Sequence, residues 1–353
     1  MAKKVCIALV NFGGHFDTIE CLESILKSDY EDFQVVVVDN SIGDSSLKAI
    51  REWVNGTESR KIETQYPDFV FPLSKKPLRF QLFLEDDFEK KSIAPETDIL
   101  LVKANANHGF AGGNNIAINY FIKNSSFDFI WLLNNDTVIS PNALSSLVSF
   151  SRKSPDKMGL VGSKLFLYHS KGKLQAVGGR YNKWLGIVKE IGYGEDDNGQ
   201  WDVDFHFDYT VGASMFVKRK FIEEVGPLSE DYFLYFEELD WALRGKQKSW
   251  TLGFCCQSIV YHKLGASINK NQSLGKSQIS DFYSIRNRLL ITRKYFPYAL
   301  ITVYCAFLKF VINRIKLGQF DRIAMMLGII ATPSKHFSKK IISNSVIERD
   351  KSN

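Results

Sequence analysis

Cysteine is scarce in this chain, and its few cysteines are not arranged to bind a metal or to cycle a disulfide. The five residues contain no CxxC motif and no zinc-ligand pair, and one of them falls in a predicted core strand. They are Cys6, Cys21, Cys255, Cys256 and Cys305. This usage is typical of reduced thiols, so we expect a cytoplasmic protein.

Long apolar runs are also missing near the amino terminus, so we expect no signal peptide. The first run, residues 5–10, spans only six residues and fits a core strand. Internal repeats and low-complexity tracts are absent, and the hydrophobic content of 45% is ordinary for a globular chain. The 353 residues therefore predict one large α/β domain with a smaller appendage.

The first 55 residues predict a βαβ unit. Residues 5–10 form a continuous apolar run of the kind that is buried on both faces of a sheet, residues 33–38 predict a second buried strand, and a helix is predicted over 18–27. This spacing favours a parallel sheet. Asn11 opens the polar turn after the first strand. Asp39 follows the second strand, where a carboxylate can bind a nucleobase or ribose, although a helix N-cap is the alternative.

A third apolar run, residues 129–133, ends abruptly in Asn134, Asn135 and Asp136. Ligands of open α/β sheets lie just beyond the carboxyl ends of the strands. A carboxylate flanked by amides at such a place suits a divalent cation that is bound to a diphosphate. The alternative is a polar turn after a buried strand.

A glycine- and asparagine-rich segment, residues 105–115, lies between a predicted strand at 99–102 and a predicted helix at 116–122. It matches neither the dinucleotide fingerprint nor the P-loop. Its glycines let the backbone approach a ligand, and the following helix N-terminus favours an anion.

Three carboxylates, Glu237, Glu238 and Asp240, crowd an otherwise aromatic stretch. Like charges that are close together in apolar surroundings raise one another's pKa, which suits a general base. The alternative is an acidic first turn of a helix. Downstream, the predicted strand 258–262 ends at His262; a lone histidine is more often structural than a ligand.

Together these segments resemble glycosyltransferase family 2, the inverting enzymes of the GT-A type, and within it the bacterial rhamnosyltransferase-like branch. The resemblance covers about residues 5–295 and rests on the order and spacing of its motifs. These motifs are Val10-Asn-Phe-Gly-Gly14, Val38-Asp-Asn-Ser41, Asn107-His-Gly-Phe-Ala-Gly-Gly-Asn-Asn115, Leu133-Asn-Asn-Asp136, Val211-Gly-Ala-Ser-Met215, Phe236-Glu-Glu-Leu-Asp-Trp-Ala-Leu-Arg244 and Tyr261-His262. It implies an α/β fold with a Rossmann-like, mostly parallel sheet flanked by helices.

The resemblance also implies roles for the matching residues. Asp136, at the last position of the family's DxD motif, and His262 would hold Mg²⁺ or Mn²⁺, and Glu238 would be the base, with Glu237 and Asp240 beside it. The donor-binding residues would be Asn11, Asp39, Asn107, Gly109, Asn114, Asn134 and Asn135. The acceptor or its phosphates would contact Trp241, Arg244, Arg286 and Arg288, although core packing is the alternative for Trp241. Arg286 and Arg288 lie in Tyr283-Ser-Ile-Arg-Asn-Arg288, which resembles a Tyr-x-x-Arg-Asn segment of the rhamnosyltransferase-like branch.

Two positions depart from the family pattern. Asn134 replaces the first carboxylate of the DxD motif, so the expected metal affinity is weaker. Glu237 and Glu238 stand where Glu-Asp or Asp-Asp is commoner, which leaves both as candidate bases; Glu238 is favoured by its position in the motif.

The C-terminal segment, residues 280–353, is strongly basic. It contains 13 Lys and Arg against 4 Asp and Glu, a net charge of +9, in a chain whose total is +6. Its apolar run 298–308 is too short to span a bilayer, which needs about 20 residues, but it fits a helix lying on an anionic membrane surface. The alternative is a helix packed on the catalytic domain. No nucleic-acid-binding motif accompanies the charge.

These expectations define a catalytic domain over 1–279, with an insertion at about 56–97 and an acceptor-side region at about 160–279, followed by a helical tail over 280–353. The expected function is sugar transfer from a nucleotide donor, first dTDP-rhamnose, to a lipid-linked glycan at the cytoplasmic face of the membrane. UDP-galactofuranose, UDP-glucose and UDP-GlcNAc remain alternative donors. A nucleotidyltransferase would need a cationic loop after the first strand, which is absent. A binding protein that has lost catalysis is the other alternative.

Overall fold

A ten-stranded mixed sheet runs through the centre of the computed structural model, which describes residues 4–57, 61–88, 90–94, 96–264, 278–316 and 318–331. Its strands are β1 (Val5–Asn11), β2 (Phe33–Asp39), β3 (Phe80–Leu84), β4 (Ile99–Lys103), β5 (Phe129–Leu133), β6 (Thr137–Ile139), β7 (Met158–Leu167), β8 (Leu174–Ala176), β11 (Ser214–Lys218) and β12 (Thr251–His262). A separate hairpin consists of β9 (Gly179–Asn182) and β10 (Ile187–Glu190).

The strand order is β3-β4-β2-β1-β5-β11-β7-β12-β6, with β8 paired to β7. The five strands from β3 to β5 are all parallel, as are β7 and β12. Strands β11 and β6 run antiparallel to their neighbours. The predicted fold class, a mostly parallel Rossmann-like sheet flanked by helices, is confirmed.

The helices cover both faces of this sheet. They are α1 (His15–Ile25), α2 (Ser45–Asn55), α3 (Pro67–Val70), α4 (Glu85–Phe88), α5 (Gly109–Lys123), α6 (Ala143–Lys153), α7 (Arg219–Val225) and α8 (Glu237–Gln247). Alternate residues of β1 enter different cores: Ile7 packs with α1 and α2, whereas Ala8 packs with α5. Burial on both faces explains the apolar run 5–10 of β1 and the four consecutive valines of β2.

Several element boundaries differ from the predictions. Helix α5 begins at Gly109, inside the glycine-rich segment, instead of at residue 116. Strand β12 begins at Thr251 instead of residue 258. The region 56–97 contributes β3 to the sheet edge; its burial does not alternate, so the sequence carried no period-2 signal for a strand.

The C-terminal segment folds into α9 (Gln278–Tyr295), a short 3-10 turn (Pro297–Ala299), α10 (Leu300–Lys316) and α11 (Phe320–Ala331). These helices share a small apolar core, formed by Ile285, Leu289, Val303, Phe307, Met326 and Ile329. The apolar helix is longer than predicted. Within the described residues, the 20-residue segment from Pro297 to Lys316 is long and apolar enough to cross a membrane, judged by length and composition alone.

Candidate active site

Asn11 and Asp39 end the adjacent parallel strands β1 and β2 and are fully buried. The Asn11 amide Nδ2 donates to Asp39 Oδ1 at 2.7 Å, and the Ser41 hydroxyl donates to the same oxygen at 2.6 Å. Lys103 Nζ, at the end of β4, donates to Asp39 Oδ2 at 3.0 Å. Two of the predicted donor residues, Asn11 and Asp39, therefore meet at the carboxyl ends of the parallel strands, and Lys103 joins them there.

The start of α5 lies beside this edge. Asn107 Oδ1 accepts the Gly109 amide at 3.0 Å, and the Asn40 side chain donates to the Gly109 carbonyl at 2.8 Å. Gly109 has φ +68°, and a Cβ here would lie 2.2 Å from the Phe233 carbonyl oxygen. Only glycine satisfies both constraints. Asn114 is turned inward, where its amide donates to the Phe110 carbonyl at 2.9 Å.

The polar residues after β5 divide between two positions. Asn135 points back to the first strand, where its amide donates to Thr18 Oγ1 at 2.9 Å and lies 3.4 Å from Asn11 Oδ1. Asp136 faces His262 at the end of β12, with 3.1 Å between Asp136 Oδ1 and His262 Nε2. Asn134 Nδ2 is 3.2 Å from the same ring nitrogen.

Asp136 and His262 have the donor chemistry for a divalent cation. The other ring nitrogen of His262, Nδ1, is 2.8 Å from Gln175 Oε1, a second contact that fixes the ring orientation. In the described part of the chain no three His, Cys, Asp or Glu side chains form a metal-binding group. Two protein ligands suit Mg²⁺ or Mn²⁺ when substrate phosphates and water supply the rest.

Neighbouring charges act on His262 and also on Glu238, the predicted base. Burial alone would lower the pKa of His262, but the charge of Asp136, a hydrogen bond to it and the charge of Glu190 raise that pKa above its ordinary value. Glu190, at the end of β10, also accepts the Gln175 amide at 3.1 Å. The charge of Glu190 acts on Glu238 as well. The charge of Glu190 therefore acts both on His262 and on Glu238, the predicted base.

Glu237 and Glu238 begin helix α8 directly after a strained turn. Tyr235 and Phe236 both adopt left-handed conformations, with φ of 71° and 73°, which costs an L-residue about 1–2 kcal/mol. Burial, together with the charge of Glu238, raises the pKa of Glu237 well above its ordinary value. Burial, reinforced by the charge of Glu190, raises the pKa of Glu238 to about 7.

The two glutamates differ in access. Glu237 is buried with 4% of its surface exposed, whereas Glu238 is partly exposed. Within the described residues, the Oε2 atom of each accepts no hydrogen bond. Both Oε2 atoms are buried, so the partial exposure of Glu238 belongs to the rest of its side chain. A carboxylate with a pKa near neutrality is suited to act as a general base.

Helix α9 fixes the turn that carries these glutamates. The fully buried Asn287 amide donates to the carbonyls of Leu234 and Tyr235, at 2.8 and 2.9 Å. Arg286 Nη1 donates to the Asp231 carbonyl at 2.6 Å. The C-terminal segment thus contacts residues 231–236, the turn before the predicted base, which we call the base turn.

The same turn contacts the donor side. The Phe110 amide, in the first turn of α5, donates to the Phe233 carbonyl at 2.8 Å. The Phe233 ring stacks on Tyr283 of α9 with 4.8 Å between centroids. One short segment, residues 231–236, therefore joins α5 to α9.

Two other predicted site residues, Asp240 and Arg244, have structural contacts. Asp240 is fully buried; its Oδ1 accepts bonds from Lys294 Nζ and the Tyr295 hydroxyl, both at 2.7 Å. Its Oδ2 accepts from Arg244 Nε at 2.7 Å. Arg244 also donates to the carbonyls of Val225 and Pro227. These bonds tie α8 to α9 and to the loop before it.

The predicted acceptor contact of Trp241 is wrong, because its ring is fully buried and its Nε1 donates to the Gly226 carbonyl at 2.8 Å. The prediction that Arg286 and Arg288 bind phosphate finds no contact in its favour, since both are 5% exposed and bonded to protein carbonyls. Arg288 also stacks on Phe307 and Phe310, 4.7 and 4.8 Å from their centroids. Burial lowers the pKa of Arg288 to about 10.

Comparison with known proteins agrees with this architecture. No protein-family model matches the chain. It is 23% identical over 217 residues, 56% of its length, to the low-salt glycan biosynthesis hexosyltransferase Agl10 of Haloferax volcanii, and it spans 62% of that relative. The structure resembles mannosyltransferase PcManGT of Pyrobaculum calidifontis, solved with GDP-Man and Mn²⁺, with a TM-score of 0.50, 12% identity, and coverage of 94% of this chain and 80% of that one. The fold is of the GT-A type. The structure of residues 1–349 of TarS from S. aureus is also similar, with a TM-score of 0.46, 12% identity and the same coverage values.

Proposed function

We propose that this protein is an inverting glycosyltransferase that moves a sugar from a nucleotide-sugar donor to an acceptor hydroxyl in glycan synthesis. The observation that carries the proposal is the pair of adjacent carboxylates Glu237 and Glu238, each with one buried oxygen that accepts no hydrogen bond from the described residues, together with the charge of Glu190, which acts on both Glu238 and His262. Similarity to a glycan biosynthesis hexosyltransferase supports the reaction class. The resemblance to family 2 supports inversion.

The residues divide the reaction between two walls of the site. Asp39, Asn11 and Lys103 form the wall at the carboxyl ends of β1, β2 and β4, where the nucleoside binds. Glu238 is on the other wall and accepts the proton of the acceptor hydroxyl as that oxygen attacks the anomeric carbon. The nucleoside diphosphate leaves from the opposite side. One base and no carboxylate nucleophile give a single displacement, which inverts the anomeric configuration.

Asp136 and His262 would hold Mg²⁺ or Mn²⁺, which as a Lewis acid neutralises charge on the leaving diphosphate. Support comes from the convergence of their side chains and from the GT-A mannosyltransferase solved with Mn²⁺. Asn134 brings no charge to this position, so the affinity for metal is lower than a second carboxylate would give.

The finer assignments follow the family resemblance. The rhamnosyltransferase-like motifs favour dTDP-rhamnose as donor and a lipid-linked glycan, at the cytoplasmic face of the membrane, as acceptor. UDP-galactofuranose, UDP-glucose and UDP-GlcNAc are the alternative donors.

A donor panel tests this function. The purified chain is given each nucleotide sugar with Mn²⁺, with Mg²⁺ or with EDTA, and release of the nucleoside diphosphate and binding of the donor are both measured. Metal-dependent release from one donor, abolished in Asp136→Ala, would establish the reaction and its sugar. Binding of a donor with no release, even when a lipid-linked acceptor is supplied, would instead identify a binding protein that has lost catalysis.

A further inference from the structure

Helix α10 is apolar on two sides, and one of them faces solvent. Val303 and Phe307 enter the core that α10 shares with α9 and α11. On the exposed side lies a stripe of aliphatic residues that are 51–77% exposed and spaced by seven, four and three positions. The stripe consists of Ile301, Leu308, Ile312 and Ile315. This spacing keeps the side chains on one side of a helix, so the stripe forms a continuous apolar surface.

The turn of the β9–β10 hairpin extends this surface. The Trp184 and Tyr298 rings lie 5.6 Å apart, and both are about half exposed. The Thr302 hydroxyl donates to the Trp184 carbonyl at 2.6 Å. Gly186, with φ +65°, approaches so closely that a Cβ would lie 2.9 Å from Arg288 Cγ. We call the stripe together with Trp184 and Tyr298 the apolar face.

Only positive charge surrounds the apolar face on its own helix. Helix α10 contains no acidic residue, and its Lys309 and Lys316 are exposed. Lys183 Nζ lies 5.6 and 5.7 Å from the centroids of Trp184 and Tyr298. A second copy of this chain would bring the same positive charge to the contact, whereas an anionic surface would neutralise it.

We propose that the apolar face docks onto an anionic phospholipid bilayer, with α10 lying parallel to the membrane. Tryptophan and tyrosine favour the boundary between lipid and water, and aliphatic side chains next to lysines are typical of helices that lie in this boundary. The opposite side of α10 is already packed, and Arg314 and Arg322 of the tail bond to the buried Asp281 of α9. A helix held in this way keeps its core contacts when it lies on the membrane surface, whereas it would lose them if it crossed the membrane.

The test is vesicle flotation of the full chain, without donor or acceptor. Vesicles of phosphatidylcholine alone are compared with vesicles that also contain phosphatidylglycerol, at low and high salt. We expect binding to the anionic vesicles only, weakened by salt. Ile301→Gln combined with Leu308→Gln should lower the partition coefficient by about tenfold or more.

The matched control is Leu82→Gln combined with Leu84→Gln, which removes two exposed leucines from the edge strand β3. Equal loss of binding in both double variants would overturn the proposal. So would equal binding to neutral and anionic vesicles, or a dimer in sedimentation that the Ile301/Leu308 variant abolishes while no vesicles are bound. The salt comparison uses the unaltered chain, so it does not depend on how well the variants fold. Donor hydrolysis should be unchanged in the Ile301/Leu308 variant, which separates this surface from the proposed reaction.

Discussion

Two pairs of acidic side chains in this molecule differ in how their carboxylate oxygens are hydrogen-bonded. Asp39 and Asp240 are fully buried, and both oxygens of each accept short bonds from lysine, hydroxyl or other donors. Glu237 is buried and Glu238 only partly exposed, yet within the described residues each keeps one buried oxygen without a donor. Hydrogen bonds from neighbours, and not burial, separate an acid that is held in place as a carboxylate from one that is available to accept a proton.

Replacement of the free acids should give the largest effect. We expect Glu238→Gln to lower the transfer rate by about 10²–10⁴-fold while donor binding stays unchanged, because the amide cannot accept the acceptor proton. Single-turnover kinetics and donor titration measure the two quantities separately. Glu237→Gln is the matched variant and should cost less, since Glu237 is less accessible. A larger loss for Glu237→Gln would reverse the assignment of the base.

Replacement of a fully hydrogen-bonded acid such as Asp240 should lower the free energy of unfolding. Asp240→Ala leaves the Lys294 and Arg244 cations without their partner; because both cations keep contact with water, we expect a cost of about 1–3 kcal/mol. Urea unfolding measures the loss of the free energy of unfolding. Glu238→Gln serves as the control and should not destabilise, because it removes an uncompensated carboxylate. If Asp240→Ala were as stable as the parent chain, the contrast between the two pairs would fail.

A third variant tests the link between the fold and the free acids. Asn287→Ala removes the donor from the Leu234 and Tyr235 carbonyls, at a cost of about 1–3 kcal/mol for each group left unsatisfied. We expect kcat to fall with the KM for donor nearly unchanged, because the turn before Glu237 loses its support while the donor wall keeps its own bonds. Ser284→Ala, on the same helix, is the control. Equal changes in kcat and KM would argue against a positioning role.

The smallest of these effects is a pH dependence. Because the pKa of Glu238 is about 7, we expect kcat/KM to fall by about tenfold for each pH unit below that value. Stability should change in the opposite sense. A carboxyl with a raised pKa contributes stability below its ordinary pKa, and this contribution is lost as the pH rises to about 7. Denaturation across this range should show the decline in the parent chain and a shallower one in Glu238→Gln.

Much of the fold was predictable because burial on both faces leaves a direct mark on the sequence. The strands containing Ile7 and Trp131 carry unbroken apolar runs and the strand containing Val36 carries four consecutive valines; the ends of these strands pointed to Asp39 and Asp136. The meeting of Asp136 with His262, 126 positions later, was available only through the family resemblance.

The partners of the acids could not be predicted from the sequence. Nothing in the local sequence indicates that Lys103 reaches Asp39 or that Lys294 and Tyr295 reach Asp240, since these contacts arise from strand and helix packing. The sequence Tyr283-Ser-Ile-Arg-Asn-Arg288 contains Arg286 and Arg288, for which a phosphate-binding role is predicted above. In the structure, Asn287 of this segment donates hydrogen bonds to the base turn instead. The sequence signal for this role is Asn287 in that segment, and its role is visible only from the Leu234 and Tyr235 carbonyls that accept its hydrogen bonds.

The contact of α9 with the base turn has a consequence for biosynthesis. A chain leaves the ribosome amino terminus first, and its segments begin to fold as they emerge. The proposed donor wall, made from residues 5–123, leaves the ribosome well before Asn287, Lys294 and Tyr295, so it can form first. The turn before Glu237 acquires its supports from α9 only after those residues have been synthesised. With the proposed roles, a nascent chain would bind a nucleotide sugar before it could catalyse the transfer.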